Sequence, residues 1–210
     1  MTLAQLLWQE NRDLAQQALD HPFIHGIRYG TLPYAVFQHY LAQDAFFLNA
    51  YARAYALALV YTPDTQGMRD FYELLSGVFA ELTLHQRNAK GWDIDLTQVV
   101  PDPATLAYTD FLLATATLRD IGEICAAMTP CMRLYAFLGQ MLAFHEVTEA
   151  HPYRDWIHTY AAPEFEALAV RLETLLDRYA SDIPPVHTTY RRAMQLEVAF
   201  FSAQAIPSTS

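Results

Sequence analysis

Met128-Thr129-Pro130-Cys131-Met132-Arg133-Leu134-Tyr135 lies inside an apolar run that begins near Ile121 and carries the 3.6-residue period of a helix. Proline in a helix interior removes a backbone hydrogen bond and kinks the axis, at a cost of roughly 3 kcal/mol. The next residue is a cysteine, and Tyr135 follows four residues later on the same helical face. Something has to offset the proline, and a thiol aimed into a pocket is one candidate.

The helical period extends outward from this stretch in both directions. No sustained two-residue alternation interrupts it, glycine is scarce at 7 residues, and proline punctuates at intervals. The chain therefore reads as all-α, a bundle of about eight helices. Thr2 caps a first helix to Asp20, with Leu3, Leu6, Leu7, Leu14 and Ala18 on one stripe. His21 to Leu32 reads as a connector. Pro33 opens a second helix to Val60, and Asp64 a third to Gly91. Trp92 to Asp102 is a loop. Helices follow over Pro103–Arg119, Ile121–Thr148, His151–Tyr160, Pro163–Ser181 and Pro184–Ala205. Residues 1–205 form one expected domain, with 206–210 a disordered tail.

Composition narrows the function. A formal net charge of −10 and the lack of a basic run argue against nucleic acid and anionic membrane surfaces. No uncharged apolar stretch of roughly 18 residues stands out, so no membrane span is expected. Glu10, Arg12, Asp13 and Asp20 make the N-terminus unlike a signal peptide. Cys125 and Cys131 point about 120° apart on a continuous helix, which suggests unpaired thiols in a reducing cytoplasm. Charged residues are only 17% of the chain, below the usual ~25%, a composition that suits a homo-oligomer.

Polar residues on apolar helix faces are the candidates for chemistry. Asp44 has Phe47, Leu48 and Tyr51 as its i+3, i+4 and i+7 neighbours. A carboxylate among aromatics needs a partner, either a neighbouring Tyr or Arg or a ligand with N–H donors. Glu197 lies between Leu196 and Val198-Ala199-Phe200-Phe201. Such a group is either a general acid or base with a raised pKa or the partner of Arg191 or Arg192. Cys131 requires a base to become a nucleophile, and Glu197 or a tyrosine fits that task. Tyr51, Tyr108, Tyr135 and Tyr160 are candidates for the walls of an aromatic slot. Glu81 and His85, at i and i+4, read as a helix hydrogen-bonding pair. A di-iron bundle would need Glu-x-x-His twice, so no metal is expected, although His145, Glu146 and His151 add potential ligands.

These residues resemble a known family in order along the chain. His21-Pro22-Phe23, Gly30-Thr31-Leu32-Pro33 and Phe37-x-x-Tyr40-Leu41-x-Gln43-Asp44 are similar to the opening of the TenA family (thiaminase II, aminopyrimidine aminohydrolase). Glu81-x-x-x-His85, Tyr108-x-x-x-Leu112, Pro130-Cys131-x-x-x-Tyr135, Tyr153-x-x-Trp156-Ile157-x-x-Tyr160 and Glu197-x-x-Phe200 continue the likeness. The resemblance implies a haem-oxygenase-like fold without haem, a homotetramer, no cofactor, and C–N hydrolysis of thiamin or 4-amino-5-aminomethyl-2-methylpyrimidine in thiamin salvage. It implies Cys131 as nucleophile, Asp44 at the amidine-like edge of the ring, and Glu197 as general acid and base. Tyr108, Tyr135 and Tyr160 would shape the slot, with Phe47, Tyr51 and Phe201 beside them. With Cys131 retained, the resemblance implies the cysteine-bearing branch rather than the one that places a glutamate elsewhere.

Two departures stand out. Phe47 replaces a frequent tyrosine, and Phe201 a frequent tryptophan. Losing the first hydroxyl forfeits about 1–3 kcal/mol if its partner stays buried and unpaired. Two other classes therefore compete with a hydrolase. One is a weakened, pyrimidine-binding regulatory protein, and the other an oxidase-type relative on the same fold.

Overall fold

Thr2 starts the first helix with a reciprocal cap. Its hydroxyl accepts from the Gln5 amide at 3.3 Å, and the Gln5 side-chain oxygen accepts from the Thr2 amide at 3.1 Å. In the computed structural model the helix expected to Asp20 is two, α1 (Leu3–Glu10) and α2 (Arg12–Leu19). Asn11 breaks it. Its side-chain amide donates to the Leu7 carbonyl at 2.8 Å, and its φ and ψ of −109° and 17° leave the helical region.

The segment 21–32, expected as a connector, holds α3 (Pro22–Arg28). His21 caps it by accepting from the Phe23 amide, and Pro22 stands in its first turn. Seven residues are too few to show a periodic face, which is why the pattern misses this helix. Gly30, at φ 65°, turns the chain out of it.

The longer helices fall close to expectation: α4 (Tyr34–Tyr61), α5 (Thr65–Gly91), α6 (Pro103–Leu118), α7 (Ile121–Ala143), α8 (Arg154–Ala161), α9 (Pro163–Tyr179) and α10 (Pro184–Ser202). The structure describes residues 1–91, 99–144 and 147–204, with the backbone alone for 84–91. Among these there are ten helices rather than about eight, and no strand. Most of the expected loop 92–102 and all of the expected tail 206–210 lie outside the described residues.

α7 is the central element, packed against α4, α6, α8, α9 and α10. It is long and apolar enough to cross a membrane by length and composition, although it carries Glu123 and Arg133. Most of that surface is buried against its neighbours, so its apolarity is what a core helix needs. Arg133 clamps α9 to it through a fork: Nε and one terminal nitrogen donate to the two Glu173 oxygens at 2.7 Å, and the other nitrogen to Glu166 at 2.9 Å. Gly139 lets α8 approach closely, since a Cβ there would lie 2.4 Å from the Tyr160 carbonyl carbon.

Candidate active site

Between α4, α5, α7 and the α8–α9 junction lies a cavity of about 360 Å³. α4 supplies Asp44, Phe47, Leu48 and Tyr51, and α5 supplies Leu74, Val78 and Glu81. α7 supplies Cys131, Met132 and Tyr135, and the last wall is Tyr160, Glu164, Phe165 and Leu168. Heptad-like spacing along α4 turns Asp44, Leu48 and Tyr51 to one side.

Pro130 lies one residue before the thiol, inside α7. Its missing N–H leaves the Ala126 carbonyl without the usual amide donor. Side-chain hydroxyls bond to carbonyls on either side of that point: Thr129 donates to the Cys125 carbonyl at 2.7 Å, and Tyr51 to the Met128 carbonyl at 2.7 Å. The second bond ties α4 to the turn that carries Cys131. Tyr55 extends the chain by donating to the Tyr51 hydroxyl at 3.4 Å.

Cys131 keeps accessible surface although protein surrounds it, because that surface is cavity wall. Its thiol is hydrogen-bonded to the Glu197 carboxylate. Tyr108 donates to Glu197 Oε1 at 2.7 Å. Burial raises the Glu197 pKa to about 7, against the opposing effect of these two donors. Burial also pushes the Cys131 thiol up, and Glu197, Asp44 and Glu81 add to it, in that order. Asp44 is raised by burial first and then by Glu81 and Glu197. Three carboxyl groups sharing one low-dielectric region do not ionise independently.

The sequence candidates divide into two layers. Asp44, Phe47, Tyr51, Cys131, Tyr135 and Tyr160 line the cavity. Glu197, Tyr108 and Phe201 are buried and do not line it. Glu197 meets Cys131 and Tyr108, while Arg191 pairs with Asp13 instead. Phe201 stacks on Phe23 with centroids 5.6 Å apart and lies 5.8 Å from the Tyr135 ring, so it backs the wall. Phe47 packs its ring on Tyr51 and Tyr108, at 5.4 and 4.7 Å. Tyr40, part of the quoted motif but given no role there, holds the far end of Tyr135: its hydroxyl donates to that of Tyr135 and accepts from Trp156 Nε1, both at 3.2 Å.

Glu81 has a place in the site that its expected pairing with His85 did not indicate. It lines the cavity, and Tyr160 donates to its Oε1 at 2.7 Å. Its proposed partner His85 has a side chain outside the described residues, as are His145 and Glu146. Among the described residues no group of three or more His, Cys, Asp or Glu is arranged to hold a metal ion.

Known proteins share this arrangement of helices. The chain is 36% identical over 213 residues to the mitochondrial bifunctional TH2 protein of Arabidopsis thaliana, covering 88% of this chain and only 34% of that longer one. It is 34% identical over 188 residues to an aminopyrimidine aminohydrolase of Halalkalibacterium halodurans, covering 87% of this chain and 84% of that one. The crystal structure of a TenA family transcription regulator from a Silicibacter species superposes with a TM-score of 0.89 at 28% identity, over 97% of this chain and 96% of that one. The fold is the haem-oxygenase-like one. The sequence pattern of the TENA/THI-4/PQQC family runs over residues 8–206, through α4, α7 and α10 and every wall of the cavity, and the chain belongs to that family.

Proposed function

We propose that the protein hydrolyses the exocyclic C–N bond of thiamin-derived aminopyrimidines, converting 4-amino-5-aminomethyl-2-methylpyrimidine to its hydroxymethyl form, or cleaving thiamin at the same carbon, in thiamin salvage. The observation that carries this reading is the Cys131 thiol, hydrogen-bonded to Glu197, at the wall of an aromatic cavity that also presents Asp44. The similarity to a protein named aminopyrimidine aminohydrolase supports it.

The flat ring lies between the faces of the wall aromatics, and Asp44 binds its amidine-like edge. A carboxyl group there polarises a ring that is otherwise a poor electrophile. Cys131 rests as a thiol, so its proton passes to Glu197 as sulfur adds to the ring. Glu197, near pKa 7, suits both receipt and return of that proton. The ring electrons displaced by sulfur expel the exocyclic nitrogen as a neutral amine, water adds at the vacated carbon and its surplus proton goes to that amine, and sulfur leaves with the proton returned by Glu197. These steps use side chains alone.

Self-association as a homotetramer belongs to the same proposal. Met68, Tyr72, Leu75 and Phe79 fall on one α5 stripe, with Tyr72 64% and Phe79 56% exposed. The neighbouring face of α5, about 100° round the axis through Phe71, Leu74 and Val78, is already in the core. A helix apolar on two faces suits a second partner. The two free thiols, Cys125 and Cys131, suit a cytoplasmic setting.

A second reading, a pyrimidine-binding regulatory protein, is favoured by one observation: Phe47 brings a ring and no hydroxyl to the cavity wall. Ammonia release from the aminomethylpyrimidine separates the two. The hydrolase reading expects turnover that Cys131→Ala abolishes and a sulfur adduct detectable by mass spectrometry with a substrate analogue. Tight binding with neither turnover nor adduct establishes the regulatory reading instead.

A further inference from the structure

Two tyrosine–carboxylate pairs flank Cys131, and they face different ways. Tyr108 and Glu197, from α6 and α10, stand behind the thiol, away from the cavity. Tyr160 and Glu81, from α8 and α5, stand on its wall. The Tyr160 ring is held by edge contacts with Tyr135 at 4.8 Å, Trp156 at 4.7 Å and Phe165 at 4.9 Å. Its hydroxyl fixes one Glu81 oxygen at 2.7 Å, so this carboxyl group is placed before any ligand arrives.

The charge of the wall is one-sided. Asp44, Glu81 and Glu164 line the cavity, and no Lys, Arg or His does so among the described residues. Glu81 and Asp44 line the same cavity, and the Glu81 charge opposes ionisation of Asp44. A cation between them relieves that repulsion and is bound in return. The 5-aminomethyl substituent of the proposed substrate is a primary alkylamine, which carries a proton at neutral pH. The hydroxymethyl product has the same ring and no such charge.

Resting on the proposed function, we infer that Glu81, held by Tyr160, is the specificity-determining residue that binds the cationic leaving substituent and so distinguishes substrate from neutral product. Asp44 reads the ring edge, Cys131 meets the ring, and Glu81 reads the exocyclic group. After the leaving nitrogen has gone the pocket loses its cation, and the neutral product is held by ring contacts alone. The same device accepts a quaternary heteroaromatic leaving group and disfavours ring-matched compounds with uncharged substituents.

Calorimetric titration of the full-length Cys131→Ala protein, which cannot turn over, tests this with two probes. They are 4-amino-5-aminomethyl-2-methylpyrimidine and its 5-hydroxymethyl counterpart. The aminomethyl compound is expected to bind about tenfold tighter or more, the scale of a hydrogen bond to a charged group. Adding Glu81→Gln is expected to bring the two affinities within about twofold, with the hydroxymethyl affinity nearly unchanged. Tyr160→Phe, which frees Glu81 from its anchor, is expected to lower the ratio at least about threefold, and it serves as the test if the Gln variant does not fold. A ratio unchanged by either substitution overturns the assignment of Glu81 and leaves the hydrolase reading standing. Failure of both compounds to bind overturns that reading and the inference with it.

Discussion

Glu197 is where the chemistry of single residues is most exposed to measurement. With a folded pKa of about 7, it is protonated below neutrality and unable to take the thiol proton. The rate kcat/KM is therefore expected to fall about tenfold per unit as pH drops below about 7, and to level off above it. Glu197→Gln is expected to remove this limb and lower kcat/KM at least about a hundredfold. Because Glu197 interacts with Cys131 and Asp44, the midpoint belongs to the cluster. Stability runs in the opposite direction. Between the ordinary value of 4.5 and about 7 the folded protein holds a proton that the unfolded chain has lost, so stability declines as pH rises through that window. At pH 8 Glu197→Gln is expected to be more stable than the parent by about 3 kcal/mol, an advantage that vanishes below about pH 5 in denaturant titrations. That Glu197 was unusual could be read from its apolar neighbours in the chain. That Tyr108 and Cys131 are its partners could not, because they arrive from α6 and α7.

At the scale of the element, α7 carries a defect at Pro130 and a close contact at Gly139. Pro130→Ala returns a backbone hydrogen bond to the helix and is expected to raise stability by about 1–3 kcal/mol. The same change shifts the turn holding Cys131 relative to Glu197 and is expected to lower kcat/KM at least about tenfold, since catalytic groups tolerate little misplacement. A melting temperature and a rate that fall together would falsify this account of the proline. Gly139→Ala puts a methyl group against the Tyr160 backbone and is expected to cost about 1–3 kcal/mol. It should also weaken substrate binding, because Tyr160 moves with α8. Thermal melts beside steady-state kinetics check both parts. The helix containing Pro130 is plain in the sequence, whereas the need for glycine at 139 appears only once α8 lies across it.

For the whole molecule, the proposed self-association is tested at the outward stripe on α5. Replacing Tyr72 and Phe79 together by Lys, both more than half exposed in the single chain, is expected to leave the fold intact and reduce the assembly to smaller species. Light scattering after size exclusion reads this directly, and an unchanged mass would remove α5 from the interface. The expected helices fell in place where periodicity ran for more than two turns, as in α4, α7 and α10. It failed at Asn11, whose side chain takes a carbonyl from the helix, and at α3, which is too short to show a face.

The all-α class, the starts of the long helices and the oddity of Asp44, Cys131 and Glu197 follow from sequence alone, because period, capping and a misplaced charge are local properties of a chain. Which of those groups reaches the cavity is not local. Two helices with the same pattern can turn a carboxylate toward a void or toward a neighbouring tyrosine, and only the packing of α5, α7, α8 and α10 selects between them. That selection puts Glu81 on the wall with Tyr160 and sets Glu197, Tyr108 and Phe201 behind it.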